Sequence, residues 1–381
     1  MRKTLSFFIL STILLPAYSQ RIDNVAEHSE WISAVDEYRP APGQFINLLP
    51  VSTPDDTQET MTRKCTTILS GPINQQREDD LGSMVCLGAW GGYVTFHFDH
   101  SIANIEGEKD FYIGGNAITN NNEAGIVMVA RDDNRNGLPD DAWYEIAGSC
   151  DTDSASLMVY DYELTYTANA MGDIPWTDNR GGSGTVPRNG FHTDNEYFPQ
   201  WLRTDSLTFS GTRLPRNGVM RAGIYMLRQF AWGYADNWPN TKTDLCSIDI
   251  AWAVDAKRQP VSLDFIDFVR VYTGICQVGE NGVGETSTEI SGARDLHLKA
   301  SLAAVHRVLR ADVNGDGWID VADISAVISV MANNDNLNDN LNDNLNDNHN
   351  DNHNGNIRAD VNGDGSVDVA DISAVISTMA R

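Results

Sequence analysis

The sequence predicts a mainly β protein in which a β-sandwich or jelly-roll-like large domain is followed by a small α-helical module. Between residues 20 and 298, short runs of alternating apolar and polar residues are separated by clusters of Gly and Asn, a pattern typical of antiparallel sheets. The chain then ends in a 22-residue segment that occurs twice, at 311–332 and 359–380, with apolar residues at helical spacing in each copy.

The first 19 residues have the pattern of a secretory signal peptide. Arg2 and Lys3 precede an apolar stretch, and Ala17-Tyr18-Ser19 forms a small-x-small cleavage site. The apolar stretch is too short for a retained membrane helix, and no other run approaches that length. The pattern therefore predicts an exported protein, secreted or held at the cell surface, with no transmembrane segment after cleavage.

The charge of the chain excludes one large class of partner. The formal net charge is −26, whereas nucleic acids attract clusters of Lys and Arg, so we expect no nucleic-acid partner. Residues 311–381 contain thirteen Asp, no Glu and only two Arg. This concentration predicts that the C-terminal segment attracts cations.

Five cysteines remain after the predicted export, and their spacing suggests no zinc site. An oxidising compartment permits disulfides, but an odd number leaves at least one thiol unpaired, and the pairing cannot be read from the sequence. The five are Cys65, Cys86, Cys150, Cys246 and Cys276.

Six runs in the large domain are predicted to be strands. They are Tyr93–Phe98, Gly125–Ala130, Tyr162–Thr167, Ile224–Phe230, Ser247–Val254 and Phe265–Thr273. In the first run, Val94, Phe96 and Phe98 would share one face of the sheet because side chains alternate along a strand. In the fifth run the same alternation is predicted for Ile248, Ile250, Trp252 and Val254.

Composition divides the rest of the chain. Residues 299–310 are predicted to be a connector between the large domain and the C-terminal module at 311–381. Within that module, residues 333–358 consist mainly of Asn and Asp with Leu and then His, and have too few apolar residues to form a core. We expect a solvated spacer between the two repeats.

Each terminal repeat has the ligand spacing of an EF-hand calcium loop. Side-chain oxygens stand at loop positions 1, 3, 5, 9 and 12, a carbonyl would serve at position 7, and Gly occupies position 6. Four Asp converging on one small volume would repel one another without a cation, so the pattern predicts one Ca²⁺ in each loop. The predicted ligands are Asp312, Asn314, Asp316, Trp318, Asp320 and Asp323 in the first copy and Asp360, Asn362, Asp364, Ser366, Asp368 and Asp371 in the second.

A short helix is predicted after each loop. Each helix has an apolar stripe that is too small to be stable alone, so the two units are expected to pack together. The stripes comprise Ile324, Val327, Ile328 and Met331 in the first copy and Ile372, Val375, Ile376 and Met379 in the second.

The duplicated DxNxDGxxxxxD loop and its following helix closely resemble the type I dockerin of cellulosome-like systems, over residues 311–381. As in dockerins, position 12 is Asp, although the spacer is longer than usual. The resemblance implies calcium-dependent binding of a cohesin-like or other surface docking protein. The partner-selecting positions of the family fall on Val321, Ala322, Val369 and Ala370. The alternative is a calcium-stabilised cap without a partner.

A third candidate calcium loop lies in the large domain, in the segment DDNRNGLPDDAWYE at residues 132–145. Its candidate ligands are Asp132, Asn134, Asn136 and Asp140. Trp143 occupies position 12, so Asp141 or Glu145 would have to close the loop. The alternative is a hairpin turn rich in Asn and Asp.

Aromatic and polar residues occur together in two segments, as sugar recognition requires. Flat rings stack on a pyranose while polar groups bind its hydroxyls. The alternative is that these aromatic residues belong to the core. The candidate ligand-binding residues are Trp176, Asp178, Asn179 and Arg188 in the first segment and Trp232, Tyr234, Asp236 and Trp238 in the second.

Evidence for catalysis is sparse. The sequence contains no nucleophile-elbow, zinc-protease or phosphate-loop motif, and strand alternation places His97 and His100 on opposite faces. A glycosidase needs two carboxylates across a cleft, but sequence spacing cannot select the pair. The candidates are Asp99, Asp110, Glu123, Asp178 and Asp236.

The large domain is also similar to an uncharacterised family of secreted or cell-surface proteins of Bacteroidetes. The similarity rests on the motifs KDFYIGGNAI, DDNRNGLPDDAWYE, PWTDNRGGSGTVPRNGFH, WGYADNWPN and IDFVRVYTG. It implies a β-sandwich from surface nutrient-uptake loci, some of them beside corrinoid transport genes. The leading hypothesis is a glycan-binding surface protein with a docking module. The alternatives are a polysaccharide-degrading O-glycosyl hydrolase and a corrinoid capture protein.

Overall fold

The computed structural model describes most of the large domain and parts of the C-terminal module. The described residues are 28–73, 83–134, 136–153, 157–169, 172–192, 195–280, 284–302, 311, 313–314, 319–338, 359–362 and 366–379. The predicted signal peptide lies outside them, as do residues 303–310 of the connector and 339–358 of the spacer. None of the helices in these ranges combines the length and apolar content needed to span a bilayer.

Strands dominate the described residues, as the sequence predicts. The strands are β1 Ala34–Arg39, β2 Val85–Cys86, β3 Tyr93–Ala103, β4 Phe111–Gly114, β5 Gly125–Ala130, β6 Trp143–Ile146, β7 Val159–Thr167, β8 Ile174–Asp178, β9 Ser183–Val186, β10 Ser206–Arg213, β11 Gly218–Arg221, β12 Ile224–Leu227, β13 Ser247–Ile248, β14 Ala253–Val254, β15 Phe265–Thr273, β16 Val278–Gly279, β17 Gly284–Glu285, β18 Glu289–Ile290 and β19 Gly292–Asp295. The α-helices are α1 Gln58–Leu69, α2 Ser149–Thr152, α3 Val321–Asn338 and α4 Val369–Met379.

The centre of the large domain is a six-stranded sheet in the order β1-β3-β15-β5-β6-β14. Its strand pairs are antiparallel, which confirms the predicted mainly β class at this level. Val94, Phe96 and Phe98 are all buried, as the alternation predicts. Thr95 is buried as well, and its hydroxyl accepts a hydrogen bond from Arg270 on the neighbouring strand.

The remaining large sheets flank this centre. A four-stranded sheet has the order β10-β7-β8-β9 and a three-stranded sheet has the order β13-β4-β19. Helix α1 buries Met61, Cys65 and Leu69 in the core beneath the six-stranded sheet. A second core, which includes Trp90 and Tyr166, lies against the four-stranded sheet.

One predicted strand is wrong in its middle half. Within Ser247–Val254, only the two ends are strands, and Ile250–Trp252 forms a 3₁₀ turn. Asp249 caps this turn by accepting a hydrogen bond from the backbone N–H of Ala251. The apolar residues are buried through the turn rather than by strand alternation, so the period of two misleads here.

The five cysteines are all among the described residues, and none of them is in a disulfide. Four are buried, and burial raises the pKa of the thiols of Cys65, Cys86 and Cys246. These cysteines therefore occupy core positions as small apolar side chains.

The large domain continues past the predicted boundary at residue 298. Ser301 is fully buried and its hydroxyl accepts a hydrogen bond from the backbone N–H of Ala103. Leu302 is buried as well. The first residues of the predicted connector therefore pack on the strands of the large domain.

The two terminal repeats share a small core of their own. Val327 on α3 and Val375 on α4 are fully buried, together with Ala311 and Ala359, which precede the loops. This packing matches the predicted association of the two units. Helix α3 extends to Asn338, six residues beyond the first repeat.

Candidate functional site

The two C-terminal loops place one carboxylate each at the same buried position. Asp323 accepts hydrogen bonds from the backbone N–H groups of Asn314, at 3.1 Å, and Asp320, at 2.9 Å. Asp371 accepts the equivalent bonds from Asn362, at 3.1 Å, and Asp368, at 2.8 Å. Both carboxylates are fully buried. The position-12 carboxylate therefore holds positions 3 and 9 of its own loop in both copies.

A second pair of predicted ligands begins the helices. Asp320 accepts a hydrogen bond from the backbone N–H of Ala322 and Asp368 accepts one from Ala370, which is N-cap geometry. Ser366, Asp360 and the two Asn residues at position 3 are also described. Asp312, Asp316, Trp318 and Asp364 lie outside the described residues.

The predicted partner-binding residues are on the outer surface of the helices. Val321 and Val369 are 66% and 65% exposed, and Ala322 and Ala370 are exposed beside them. Ile328 and Ile376 are each 49% exposed one to two turns farther along. These isoleucines were predicted to belong to the packed stripe, but they face outward because Val327 and Val375 already occupy the space between the helices.

The loop at residues 132–140 brings its four candidate ligands together between β5 and β6. The amide nitrogens of Asn134 and Asn136 lie 3.0 Å from the Asp140 carboxylate. Asp132 accepts hydrogen bonds from the backbone N–H groups of Asn136 and Gly137. The side-chain oxygens of this loop are therefore bonded to its own amides, as in an Asx-rich turn.

The proposed closing residues of this loop have different positions. Asp141 lies at the loop and accepts a hydrogen bond from the backbone N–H of Asp133. Glu145 instead forms an ion pair with Arg258 and accepts a hydrogen bond from the Tyr272 hydroxyl. Asp141, and not Glu145, is thus the carboxylate next to the candidate ligands.

The first aromatic segment forms β8 and the turn into β9. Asp178 accepts hydrogen bonds from the Tyr162 hydroxyl and from the backbone N–H of Gly182, so it holds the turn. Asn179 donates to a backbone carbonyl of Asp161, and the Arg188 guanidinium lies 5.0 Å from the Tyr197 ring. These three residues therefore support the local structure.

Trp176 has a different environment from its neighbours. It is partly exposed and lines a cavity of about 330 Å³ between the four-stranded sheet and the β16–β17 hairpin. Gly184 permits its position, since a Cβ on that residue would lie 2.5 Å from the Trp176 ring. Trp90 and Tyr166 are among the other lining residues, and Tyr166 is paired with Trp176 across β7 and β8.

Two buried polar side chains also line this cavity. Glu285 is 1% exposed and Gln277 is 7% exposed. Neither Glu285 Oε2 nor Gln277 Oε1 has a hydrogen-bond partner among the described residues. Burial raises the pKa of Glu285 to about 8, so the carboxyl group is mainly protonated at neutral pH. Sequence reasoning missed both residues because no local motif marks them.

The second aromatic segment, residues 232–238, is mostly internal. Tyr234 and Asp236 are 2% and 3% exposed. Trp232 packs on Trp252 with ring centroids 4.7 Å apart, and the Trp238 indole donates to the carbonyl of Phe230. Of the eight candidate ligand-binding residues, Trp176 alone lines the cavity, so the structure does not bring the two predicted segments together at one site.

Three of the carboxylates in the large domain meet below the surface. One oxygen from each of Glu123, Asp236 and Glu289 lies within 4.8 Å of the others. Asp236 also accepts backbone hydrogen bonds from Asn116 and Ala117, and burial raises the pKa of all three acids. Asp236 and Glu289 are each 3% exposed, so a polysaccharide chain cannot reach this cluster.

The other candidate acids are also bonded within the fold. Asp110 is fully buried and accepts backbone hydrogen bonds from Ile105 and Ile250. Asp99 bonds to Nδ1 of His100, whose Nε2 bonds to Asp295. His97 pairs separately with Asp36, so the two histidines have different partners.

Comparison with known proteins adds no family assignment. The chain matches no protein-family model, and no curated protein is significantly similar to it.

Proposed function

We propose that the protein is an exported, surface-associated binding protein with two parts. The large domain, a β-sandwich in this proposal, recognises a glycan. The C-terminal repeats form an EF-hand-like module of dockerin type that binds two Ca²⁺ and docks on a cohesin-like or other surface protein. The observation that carries the proposal is the repeated pair of buried carboxylates, Asp323 and Asp371, each bonded to the same two loop positions.

Calcium is supported by the chemistry of the repeats. A buried carboxylate is costly unless hydrogen bonds or a cation compensate its charge. Asp323 accepts hydrogen bonds from two backbone N–H groups. The same twelve-residue loop contains three further carboxylates, those of Asp312, Asp316 and Asp320. Calcium accepts six to eight oxygen ligands and would neutralise this concentration of charge.

Calorimetry on the full chain tests the calcium sites. We expect two equivalents of Ca²⁺ and an increase in helical circular dichroism on binding, since metal binding adds folding energy to a small module. The double variant Asp312→Ala with Asp360→Ala removes position 1 of both loops. An unchanged calcium-dependent signal in that variant would refute the ligand assignment.

Docking is supported by the matched exposure of apolar residues in the two repeats. Val321 and Ile328 have the same exposure as Val369 and Ile376, so the module presents two nearly identical apolar faces. Solvent-exposed apolar patches commonly mark protein-binding surfaces. The same side chains would serve as partner contacts in either copy.

The docking test uses the double variant Val321→Asp with Val369→Asp. Full-length protein is used to retrieve partners from the native secretome, with calcium and with chelator. We expect one calcium-dependent partner for the wild type and none for the double variant, with calcium affinity unchanged. The control is Leu157→Asp, the same kind of change at a residue that is 79% exposed in the large domain. Equal retrieval by all variants would refute docking through these faces.

The glycan part of the proposal has a separate test. Retardation of the wild type in native gels that contain soluble polysaccharides would support it, and absence of retardation on every polysaccharide tested would contradict it. The hydrolase alternative predicts release of reducing ends. We favour binding because the Glu123–Asp236–Glu289 cluster is buried, whereas a glycosidase needs its two carboxylates beside the substrate.

A further inference from the structure

We propose that His28, Asp99 and His100 form a binding site for a divalent transition-metal ion of the zinc class. The first ligand comes from the segment before β1, the other two come from β3, and Asp295 at the end of β19 holds His100 in place. This site is separate from the calcium loops of the C-terminal repeats, and it depends on neither the docking nor the glycan part of the proposed function.

The ligand atoms of the three residues converge on one point. One atom from each lies within 4.8 Å of the others. Nδ1 of His28 is 3.4 Å and Nδ1 of His100 is 2.7 Å from the same oxygen, Oδ1 of Asp99. Zinc bonds of about 2.0–2.1 Å in a tetrahedral site set ligand atoms about 3.3 Å apart. The first distance already has this value, and the second, a hydrogen bond, would lengthen by about 0.6 Å when the ion replaces the proton between the two atoms.

An irregularity in β3 brings two consecutive side chains to this point. Between two paired positions, residues 98–101 of β3 face only Asp267 of β15. Consecutive side chains normally point to opposite faces of a strand, but a bulge redirects them. Asp99 and His100 can therefore contact each other although they are neighbours in the chain.

His100 is held as metal-ligating histidines usually are. Its Nε2 lies 2.8 Å from Oδ2 of Asp295, a carboxylate that is 1% exposed. The other oxygen of Asp295 accepts the backbone N–H of His297 at 2.7 Å, which fixes the carboxylate. A histidine that is bonded to a carboxylate through one ring nitrogen presents the other nitrogen to a metal. For His100 this is Nδ1, the atom that faces Asp99.

The site can be reached from the surface. The side chains of Asp99 and His28 are 33% and 20% exposed, whereas that of His100 is 3% exposed. Oδ2 of Asp99 accepts the backbone N–H of Ser29 at 3.0 Å, so Oδ1 is the oxygen available to the ion. An ion binds between its ligands, so the nitrogens need to face Oδ1 rather than open solvent. The exposed carboxylate of Asp99 marks the side from which the ion enters.

The donors select the class of metal. Imidazole nitrogens suit zinc, copper, iron and nickel, whereas calcium and magnesium take oxygen ligands. Two neutral imidazoles with the carboxylates of Asp99 and Asp295 carry two negative charges, which a divalent cation balances. Three protein ligands leave the fourth position of a tetrahedral zinc ion to water. The ion would tie the segment before β1 to β3, beside the backbone hydrogen bond from Asp295 to Glu30.

The test uses the full-length protein, purified without a histidine tag and stripped of metal. With Ca²⁺ in excess to compete for oxygen sites, Zn²⁺ is titrated by calorimetry and Co²⁺ by visible absorption. Four-coordinate Co²⁺ with nitrogen ligands absorbs much more strongly than octahedral Co²⁺ bound by oxygen. We expect one equivalent of strongly absorbing Co²⁺ that Zn²⁺ displaces. Zn²⁺ at about a hundred times its Kd should raise the midpoint of thermal unfolding by about 5 °C.

Matched variants locate the ion. His28→Gln and Asp99→Asn each remove one ligand and should weaken binding by about a hundredfold or more, since loss of an outer partner alone costs about ten- to hundredfold. Asp295→Asn keeps the three ligands and should weaken binding by about tenfold with one equivalent still bound. The control is His97→Gln, because His97 lies on the same strand and bonds to Asp36 at 2.8 Å, but no third candidate ligand among the described residues joins that pair. It should bind as the wild type does.

The possible results separate this site from other metal ligands of the chain. A zinc-induced rise in the unfolding midpoint that His97→Gln keeps and His28→Gln loses would confirm the site. Equal Co²⁺ absorption in the wild type, His28→Gln and Asp99→Asn would place the ion elsewhere, for example on His349 and His353 of the spacer, and would overturn the proposal. Weak octahedral absorption alone in the wild type would exclude imidazole ligands and would overturn it as well.

Discussion

Glu285 provides the sharpest test of the large domain, because its protonation should govern the stability of the folded state. Burial raises its pKa from 4.5 to about 8, and Glu289 nearby adds to the effect. The folded state therefore holds this proton more tightly than the unfolded chain does. The associated stability is fully present below the unfolded pKa of 4.5 and is lost as the pH rises to about 8.

The magnitude follows from the size of the shift. One pKa unit corresponds to about 1.4 kcal/mol, so the full shift represents about 5 kcal/mol. Between about pH 5 and about pH 7, Glu285 alone should lower the free energy of unfolding by about 2 to 3 kcal/mol. Glu285→Gln removes this contribution, since the amide cannot ionise. The variant should therefore gain stability relative to the wild type as the pH rises.

Urea unfolding of the full-length protein, followed by tryptophan fluorescence across this pH range, measures the difference. Other buried acids also contribute to the pH dependence of the wild type, including Asp110, whose pKa burial raises to about 7. The quantity to compare is thus the difference between variant and wild type at each pH. Glu106→Gln makes the same substitution at an exposed position and serves as the control. Parallel stability curves for Glu285→Gln and the wild type would refute a buried, protonated Glu285.

Three further predictions concern other parts of the chain. Burial lowers the pKa of His100, but its bonds to Asp295 and Asp99 outweigh this effect and raise the pKa above 6.5. The stability that His100 provides should therefore be fully present below pH 6.5 and be lost as the pH rises through the raised pKa. His100→Gln should remove this pH dependence in thermal unfolding of the metal-free protein. Asp371→Ala should reduce the calcium stoichiometry measured by calorimetry from two to one, and an unchanged value would contradict the role of position 12. Gly115→Ala should destabilise the large domain by about 2 kcal/mol or more in urea unfolding, because the new Cβ would lie 2.3 Å from a carboxylate oxygen of Asp236. The control is Gly190→Ala, whose Cβ would have no neighbour within 4 Å and which should leave the stability nearly unchanged.

The sequence predicted best those strands that lie in the middle of a sheet, with a neighbouring strand on each side. Gly125–Ala130 and Phe265–Thr273 agree with β5 and β15 at both ends. Both strands are central, so their apolar runs reflect direct burial. The failure at Ser247–Val254 has a local cause, since Asp249 caps a turn and the turn buries Ile250 without a sheet. The sequence signal for this turn is Asp249, because Asp is a common N-cap residue at the start of a helical turn.

Exposure was harder to predict than secondary structure. An aromatic residue beside Asp and Asn fits both a sugar platform and a buried loop anchor. Tyr234 proved to be internal, where its hydroxyl accepts the backbone N–H of Cys150, whereas Trp176 lines a cavity. The cavity itself is built from residues as far apart as Trp90 and Glu285, which only the tertiary fold brings together. No local pattern contains that information.

Glu285 differs from other buried acids of the chain in how its carboxyl oxygens are hydrogen-bonded. Asp110, Asp236, Asp323 and Asp371 are buried, and both oxygens of each accept backbone N–H groups from the described chain. These carboxylates fix loops, and their hydrogen bonds compensate for lost hydration. Glu285 is equally buried, but only one of its oxygens accepts a hydrogen bond in the described chain, from the backbone N–H of Gln44. A carboxylate with one unsatisfied oxygen would be costly to bury, whereas a protonated carboxyl group loses less hydration, and this difference is the physical cause of the raised pKa of Glu285.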